Sequence, residues 1–129
     1  MVKAGPLDTT YVGGEHADTD AEMVRAVAGR LGLEHVQILS GVFPDETGEQ
    51  IEDREFRFCH IDVDVYESAH EVLAWLWPRL VDGGIVVFDD YGFRGCRGIT
   101  QLVDEQRALK DRAVIHNLNG HGLLVKRAI

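Results

Sequence analysis

The sequence predicts one layered α/β domain over residues 1–129, and three observations support this. Apolar runs of strand length alternate with stretches of helical periodicity, which is typical of α/β folds. The run Ile85–Phe88 is wholly apolar, as expected for a parallel strand covered on both faces. Asn119 and Gly120 separate two short apolar runs and indicate an antiparallel hairpin near the carboxyl end.

The elements follow in order from caps, periodicity and turn residues. Residues 1–17 read as a loop with one short strand, and 18–129 as the α/β core. Thr19 and Glu22 form a capping box for the first helix, whose apolar residues then recur at helical spacing. Pro78 should kink the second helix or end its regular part, and Ile99, Leu102 and Val103 of the third helix should face inward. Asp82 to Gly84 predict a turn, and 44–55 a surface loop or short helix. We predict strands at 9–12, 36–39, 56–65, 85–88, 113–117 and 123–126, and helices at about 19–31, 66–80 and 98–110.

Charge and composition exclude several classes of partner. The formal net charge of −9 argues against nucleic acid, because binding to phosphates requires clustered Lys and Arg. No apolar run approaches the ~20 residues of a membrane span, and the first residues lack the apolar segment of a signal peptide. We therefore expect a cytoplasmic protein in which Cys59 and Cys96 are reduced thiols.

Acidic residues stand at the ends of two predicted core strands. Asp62 and Asp64 follow the first strand, and Asp89 and Asp90 follow the second. Ligands of open α/β sheets bind outside the carboxyl ends of the strands, so neighbouring strands would bring these four side chains together. In an extended strand the alternation Asp62-Val63-Asp64 would also place both carboxylates on one side.

Four converging carboxylates repel each other, and a hard divalent cation such as Mg²⁺ removes that cost. A single aspartate at a strand end is more often a turn former or a helix cap, and Asp64 is a candidate cap for the helix near Tyr66. Two such clusters after successive strands favour a site. The other five histidines show no spacing typical of a metal site, and His60, which stands at a strand end, either touches the site or, as we favour, is a partly buried structural residue.

At these residues the sequence resembles the macrocin O-methyltransferase family of sugar O-methyltransferases, roughly from His16 to Arg107. The resemblance is strongest where the sequence carries Asp-Val-Asp-Val-Tyr-Glu-Ser, Trp-Pro-Arg-Leu, a Gly-Gly turn, Asp-Asp-Tyr-Gly and Gly-Cys-Arg, in that order. Each motif alone is weak, and their order and spacing together are fairly specific. Val63 departs from a common glycine of the family.

The resemblance implies a fold, a reaction and residue roles. The fold would be an incomplete Rossmann-like sheet of the class I methyltransferases, with helices on both faces and a carboxy-terminal antiparallel hairpin. The reaction would be methyl transfer from S-adenosylmethionine to a hydroxyl of a sugar or similar small molecule. Asp62, Asp89 and Asp90 match metal ligands, for Mg²⁺ or another divalent cation, and Asp64 matches the general base.

The front of the chain departs from the class. Neither the glycine-rich cofactor loop nor the ribose-binding acid is found, and Gly13-Gly14 does not replace the loop because no apolar strand precedes it. We therefore expect impaired activity and a homodimer formed through an open sheet edge. One alternative is a non-catalytic remnant or assembly module. The other, less favoured, is a Mg²⁺-dependent phosphatase, which the Asp62-Val63-Asp64 pattern resembles; such a phosphatase needs a Lys between the two acidic clusters, and this sequence has none there.

Overall fold

The computed structural model describes residues 5–8, 10 and 18–128, and it contains a four-stranded mixed sheet. The strand order is β1-β2-β4-β3. Among the described residues, none of the helices is long and apolar enough to cross a membrane. The elements are α1 Ala21–Arg30, a 3-10 turn Gly48–Ile51, β1 Phe56–Ile61, α2 Tyr66–Leu76, a 3-10 turn Trp77–Arg79, β2 Leu80–Phe88, α3 Arg97–Glu105, a 3-10 turn Gln106–Ala108, β3 Arg112–His116 and β4 Gly122–Lys126.

Strands β1 and β2 are parallel neighbours, which confirms the central prediction about the sheet. Phe58 pairs with Ile85, and the register then continues to the carboxyl ends of both strands. The predicted turn at 82–84 is wrong, because these residues belong to β2. They protrude as an irregularity near the start of the strand, where Gly83 has a φ of 76°.

The predicted hairpin is confirmed, and it closes the other side of the sheet. Strands β3 and β4 pair antiparallel, and β4 also pairs antiparallel with β2. Residues 117–121 connect the hairpin, with positive φ at Leu118 and at Gly120. Because Gly122 pairs with Phe88, the hairpin loop lies beside the carboxyl end of β2.

Helices α2 and α3 contact each other, and the main core forms where they pack with the sheet. Val86, Phe88 and Leu124 contribute from the sheet and are fully buried. The predicted inward positions of α3 are confirmed, since Ile99, Leu102 and Val103 are all buried. Pro78 ends the regular part of α2, as predicted, and a single 3-10 turn leads into β2.

The opposite face of the sheet is apolar and only partly covered by the described residues. Phe58 is 61% exposed and Ile115 is 47% exposed, and the residues between them are half-buried. Residues paired directly across strands point to the same face. We call this surface the open face, and it comprises Phe58, His60, Ile85, Val87, Ala113, Ile115, Leu123 and Val125.

Helix α1 forms where predicted, but its predicted cap is wrong. The cap is Asp20, whose carboxylate accepts a hydrogen bond from the backbone N–H of Met23 at 2.8 Å, and not the Thr19–Glu22 box. No residue of the helix is buried, so its apolar stripe does not reach the core. Periodicity identified the stripe, whereas burial also requires a partner surface that the described residues do not supply.

Two predicted strands also differ from the structure. Residues 36–39 carry no ladder hydrogen bonds and are not a strand, because no neighbouring strand pairs with them. Strand β1 ends at Ile61 and not at Val65, so the aspartates lie beyond the ladder. The predicted strand at 9–12 falls almost wholly outside the described residues. The α/β class with a Rossmann-like sheet is confirmed.

Candidate functional site

The candidate site lies at the carboxyl ends of β1 and β2. The backbone N–H of Asp89 donates to the carbonyl of Ile61 at 3.0 Å, which extends the parallel pairing by one residue. The two acidic segments therefore begin side by side, as predicted. Beyond this point the four aspartates separate into different environments.

Asp64 and Asp90 form one group together with Cys96. Ligand atoms of the three residues all lie within 4.8 Å of one another, and the Cys96 thiol donates to Asp64 Oδ1 at 3.7 Å. Both aspartates have left-handed backbones, with φ of 60° and 58°. Such a backbone costs roughly 1–2 kcal/mol for most residues and less for aspartate, and it is enriched at functional sites.

The carboxyl of Asp90 is held partly out of water against a second carboxyl. Burial, a hydrogen bond with Asp64 and repulsion from Asp64 and Asp89 together raise the pKa of Asp90 above its ordinary value. A hydrogen bond between two carboxyl groups requires a proton on one of them. The pair is therefore suited either to share a proton or to lose it when a cation supplies the opposing charge.

Asp89 points to a different group, made with His60 and His121. Asp89 Oδ1 lies 3.1 Å from His121 Nε2, and Asp89 Oδ2 lies 3.7 Å from His60 Nε2. Ligand atoms of these three residues also lie within 4.8 Å of one another. His60 belongs to the open face, so this group lies at the end of that face where β1 and β2 have their carboxyl ends.

Asp62 is exposed and belongs to neither of these groups. The expectation that Asp62 and Asp64 extend from one side of a strand is wrong, because β1 ends at Ile61 and Asp64 is left-handed. The same geometry separates Asp64 from the cap of α2. Asp8 takes that role, and its Oδ2 accepts from the backbone N–H of Tyr66 at 3.0 Å.

A groove of about 630 Å³ lies along α3. The segment between β2 and α3 contributes Phe93 and Arg94 to its lining, and α3 contributes Arg97, Gln101 and Glu105. Phe93 is largely exposed. The acidic residues at the strand ends do not line this groove, and the lining residue nearest to them in sequence is Gly92, two residues after Asp90.

Comparison with known proteins identifies the family. Residues 14–124 match the macrocin-O-methyltransferase (TylF) family. The chain belongs to this family. A tetracenomycin relative from Streptomyces olivaceus, an 8-demethyl-8-(2,3-dimethoxy-alpha-L-rhamnosyl)-tetracenomycin-C 4'-O-methyltransferase, is 40% identical over 78 residues, which are 59% of this chain and 30% of that protein.

Several solved structures share the fold of this chain. The O-methyltransferase NovP superposes with a TM-score of 0.65 and 28% identity, over 84% of this chain and 45% of that one. The calicheamicin methyltransferase CalS11 gives 0.66 at 17% identity, over 88% and 48%. An O-methyltransferase of Bacillus cereus in complex with SAH gives 0.64 at 19% identity, over 91% and 60%. The chain thus spans about half the length of these structural relatives and under a third of the curated one.

The structure adds His121 and Cys96 to the aspartates that the sequence proposed. It also places His60 beside Asp89, the alternative that the sequence left open but did not favour. His121 lies far from the aspartates in sequence and is brought there by the β2–β4 register. The only available signal was the hairpin prediction itself, which places its loop at one edge of the sheet without fixing the register. Cys96 was visible only as part of the Gly-Cys-Arg motif.

Proposed function

We propose that the chain provides the metal and general-base side of an O-methyltransferase that transfers a methyl group from S-adenosylmethionine to a sugar hydroxyl. Family membership and the rhamnosyl-tetracenomycin relative support the reaction class. The observation that carries the assignment is the juxtaposition of Asp64 and Asp90 beside the parallel strand ends, with the pKa of Asp90 raised. Carboxylates in this arrangement are stabilised by a cation and compete for a proton.

The residues present fit a divalent cation. Asp62, Asp89 and Asp90 offer oxygen ligands of the kind that Mg²⁺ prefers. Asp62 and Asp89 each follow directly on the paired strand-end residues Ile61 and Phe88. Burial and the neighbouring carboxyls of Asp64 and Asp89 raise the pKa of Asp90, which supports a place where a cation would offset negative charge. A bound cation would lower the pKa of an acceptor hydroxyl.

Asp64 is the proposed general base. Its left-handed backbone turns the carboxylate toward Asp90 and Cys96 and away from the end of α2, where Asp8 makes the cap. The helix terminus therefore has Asp8, and not Asp64, as its hydrogen-bond acceptor. Asp64 would take the proton of an acceptor sugar hydroxyl. Bound S-adenosylmethionine would supply the methyl group, and its sulfur would keep the electron pair of the broken methyl–sulfur bond.

We further propose that residues 1–129 alone bind S-adenosylmethionine weakly. The cofactor class is supported by the family and by the Bacillus cereus structure with SAH. The 129-residue sequence contains no glycine-rich turn between an apolar strand and a helix, which is the element that normally holds such a cofactor. We also propose a cytoplasmic location, in which Cys59 and Cys96 stay reduced.

The test is methyl transfer from labelled S-adenosylmethionine to rhamnose-bearing acceptors in the presence of Mg²⁺. We expect slow transfer that a chelator abolishes and that Asp64→Asn lowers about 100-fold. Asp82→Asn, an exposed aspartate in the β2 irregularity, is the matched control and should leave the rate unchanged. Transfer that survives both the chelator and Asp64→Asn would contradict the proposed metal and base roles.

The open face favours a second candidate, an assembly module that forms homodimers. Phe58 is 61% exposed at the free edge strand β1, and unpaired apolar edges are templates for association. Light scattering should show a dimer that Phe58→Ser dissociates. Leu118→Ser, at an 86% exposed leucine in the hairpin loop, is the control and should not. A wild-type monomer at micromolar concentration would count against the dimer.

A further inference from the structure

The side chain of Asn117 is locked in one orientation in the β3–β4 loop. Its Oδ1 accepts hydrogen bonds from the backbone N–H groups of Asn119 at 2.8 Å and of His121 at 3.1 Å. Turning the amide over would place an NH₂ group against two N–H donors. The Nδ2 group of Asn117 therefore faces the imidazole of His121, at 2.9 Å from Nδ1.

This contact fixes the tautomer of His121. Because the Asn117 amide donates, Nδ1 of His121 must accept and carries no proton in the neutral ring. The ring proton is then on Nε2, which lies 3.1 Å from Asp89 Oδ1 and donates to it. The backbone N–H of Asp90 donates to the same oxygen, also at 3.1 Å. Asp89 Oδ1 thus receives two hydrogen bonds, whereas the nearest donor to Oδ2 among the described residues is His60 Nε2 at 3.7 Å.

We propose that His121, held by Asn117, is a positioning residue for Asp89. It occupies Oδ1 and presents Oδ2 as the oxygen that ligates the divalent cation, so this inference rests on the proposed metal site. Partners of this kind outside the ligand set fix the orientation of metal-binding carboxylates. The backbone N–H of Asp90 also donates to Asp89 Oδ1 and so helps to fix this carboxylate. This hydrogen bond links the two acidic groups at the strand ends.

The geometry disfavours the competing interpretation, in which His60, Asp89 and His121 bind a transition metal directly. Ligation through His121 Nε2 would move the ring proton to Nδ1. That proton would then face the NH₂ group of Asn117 at 2.9 Å, donor against donor. Relief would require turning the amide and losing both of its backbone hydrogen bonds.

The first measurement determines the tautomer of His121 directly. Long-range ¹H–¹⁵N NMR of the imidazoles distinguishes the two neutral tautomers, and we expect the Nε2–H form for His121 in the metal-free and the Mg²⁺-loaded chain. The Nδ1–H form would overturn the inference, and so would a shift of His121 Nε2 typical of direct ligation on adding Zn²⁺ or Mg²⁺. Neither result depends on methyl transfer.

The second measurement is Mn²⁺ affinity by calorimetry. His121→Phe should weaken binding about 10-fold, and His121→Gln, which restores an N–H donor, should recover most of that loss. His116→Phe, in the same hairpin but packed on Tyr91, is the control and should bind like the wild type. Equal affinity of the wild type and His121→Phe would overturn the inference alone, whereas no Mn²⁺ binding by the wild type would refute the proposed metal site on which it rests.

Discussion

Replacing Asp111 by asparagine perturbs the connection between the helical layer and the hairpin. Both oxygens of Asp111 accept from Arg112, at 2.7 and 2.8 Å, and Oδ2 also accepts from the indole N–H of Trp77 at 2.7 Å. The guanidinium of Arg112 stacks 3.6 Å from the Trp77 ring centroid and is almost wholly buried. Asparagine has one acceptor oxygen and no charge, so it leaves this buried cation partly unpaired.

The lowered pKa of Asp111 gives the magnitude of the stability that the substitution should remove. Hydrogen bonds from Arg112 and Trp77 lower it from 3.8 to about 2. A change of this size corresponds to about 2 kcal/mol of preference for the ionised form. The side chain is 26% exposed, so solvent screening reduces the expected contribution to about 1–2 kcal/mol. The folded-state pKa is depressed, so this stability is present above pH 3.8 and is lost as pH falls through about 2.

The assay is urea unfolding of the wild type and Asp111→Asn at a series of pH values. We expect the variant to be less stable by about 1–2 kcal/mol at about pH 7, with the difference shrinking as pH falls below about 4. Asp82→Asn, an exposed aspartate outside this cluster, should show no such difference. A difference that stays constant down to about pH 2.5 would refute the electrostatic reasoning and leave a purely steric cause.

The remaining predictions concern packing and thiol reactivity. Leu102→Ala opens a cavity at a fully buried position of α3 and should lower the free energy of unfolding by about 3 kcal/mol in urea titrations. Gly98→Ala should cost about 2 kcal/mol in the same assay, because a Cβ atom would overlap Asp8 Oδ1 and approach Tyr66 Cβ to 2.8 Å. Cys59 should react slowly with iodoacetamide at about pH 8, read by peptide mass spectrometry, because burial raises its pKa to about 11; fast labelling in the folded chain would contradict that burial.

The sequence predicted the elements whose partners lie within the chain. Periodicity found the buried face of α3, and Asn119-Gly120 found the hairpin, because each signal is local and each element packs on a neighbour in sequence. Residues 36–39 have the pattern of a strand but form none, and α1 has an apolar stripe but no buried residue. Pairing and burial depend on partner surfaces, which no local pattern reveals.

The candidate site shows the same limit at the level of side chains. Chain order and strand ends were enough to bring Asp62 and Asp89 to one edge of the sheet. They were not enough to foresee that a left-handed backbone turns Asp64 toward Asp90. The approach of His121 depends on one register, Gly122 opposite Phe88, and a shift of a single residue would point its neighbours to the other face.

The two acidic groups differ in how much of their environment the chain itself supplies. Asp64 and Asp90 contact Cys96, which is buried in the core formed by α2 and α3, so their surroundings are fixed by residues of this chain. Asp89 and its histidines lie at the end of the open face, where His60 shares a face with exposed Phe58. Charge–charge attraction strengthens as water is excluded. A surface that covers the open face, whether a second copy or another polypeptide segment, would therefore strengthen the attraction between Asp89 and the proposed cation. If both proposals hold, assembly and metal binding would be coupled through this side of the sheet.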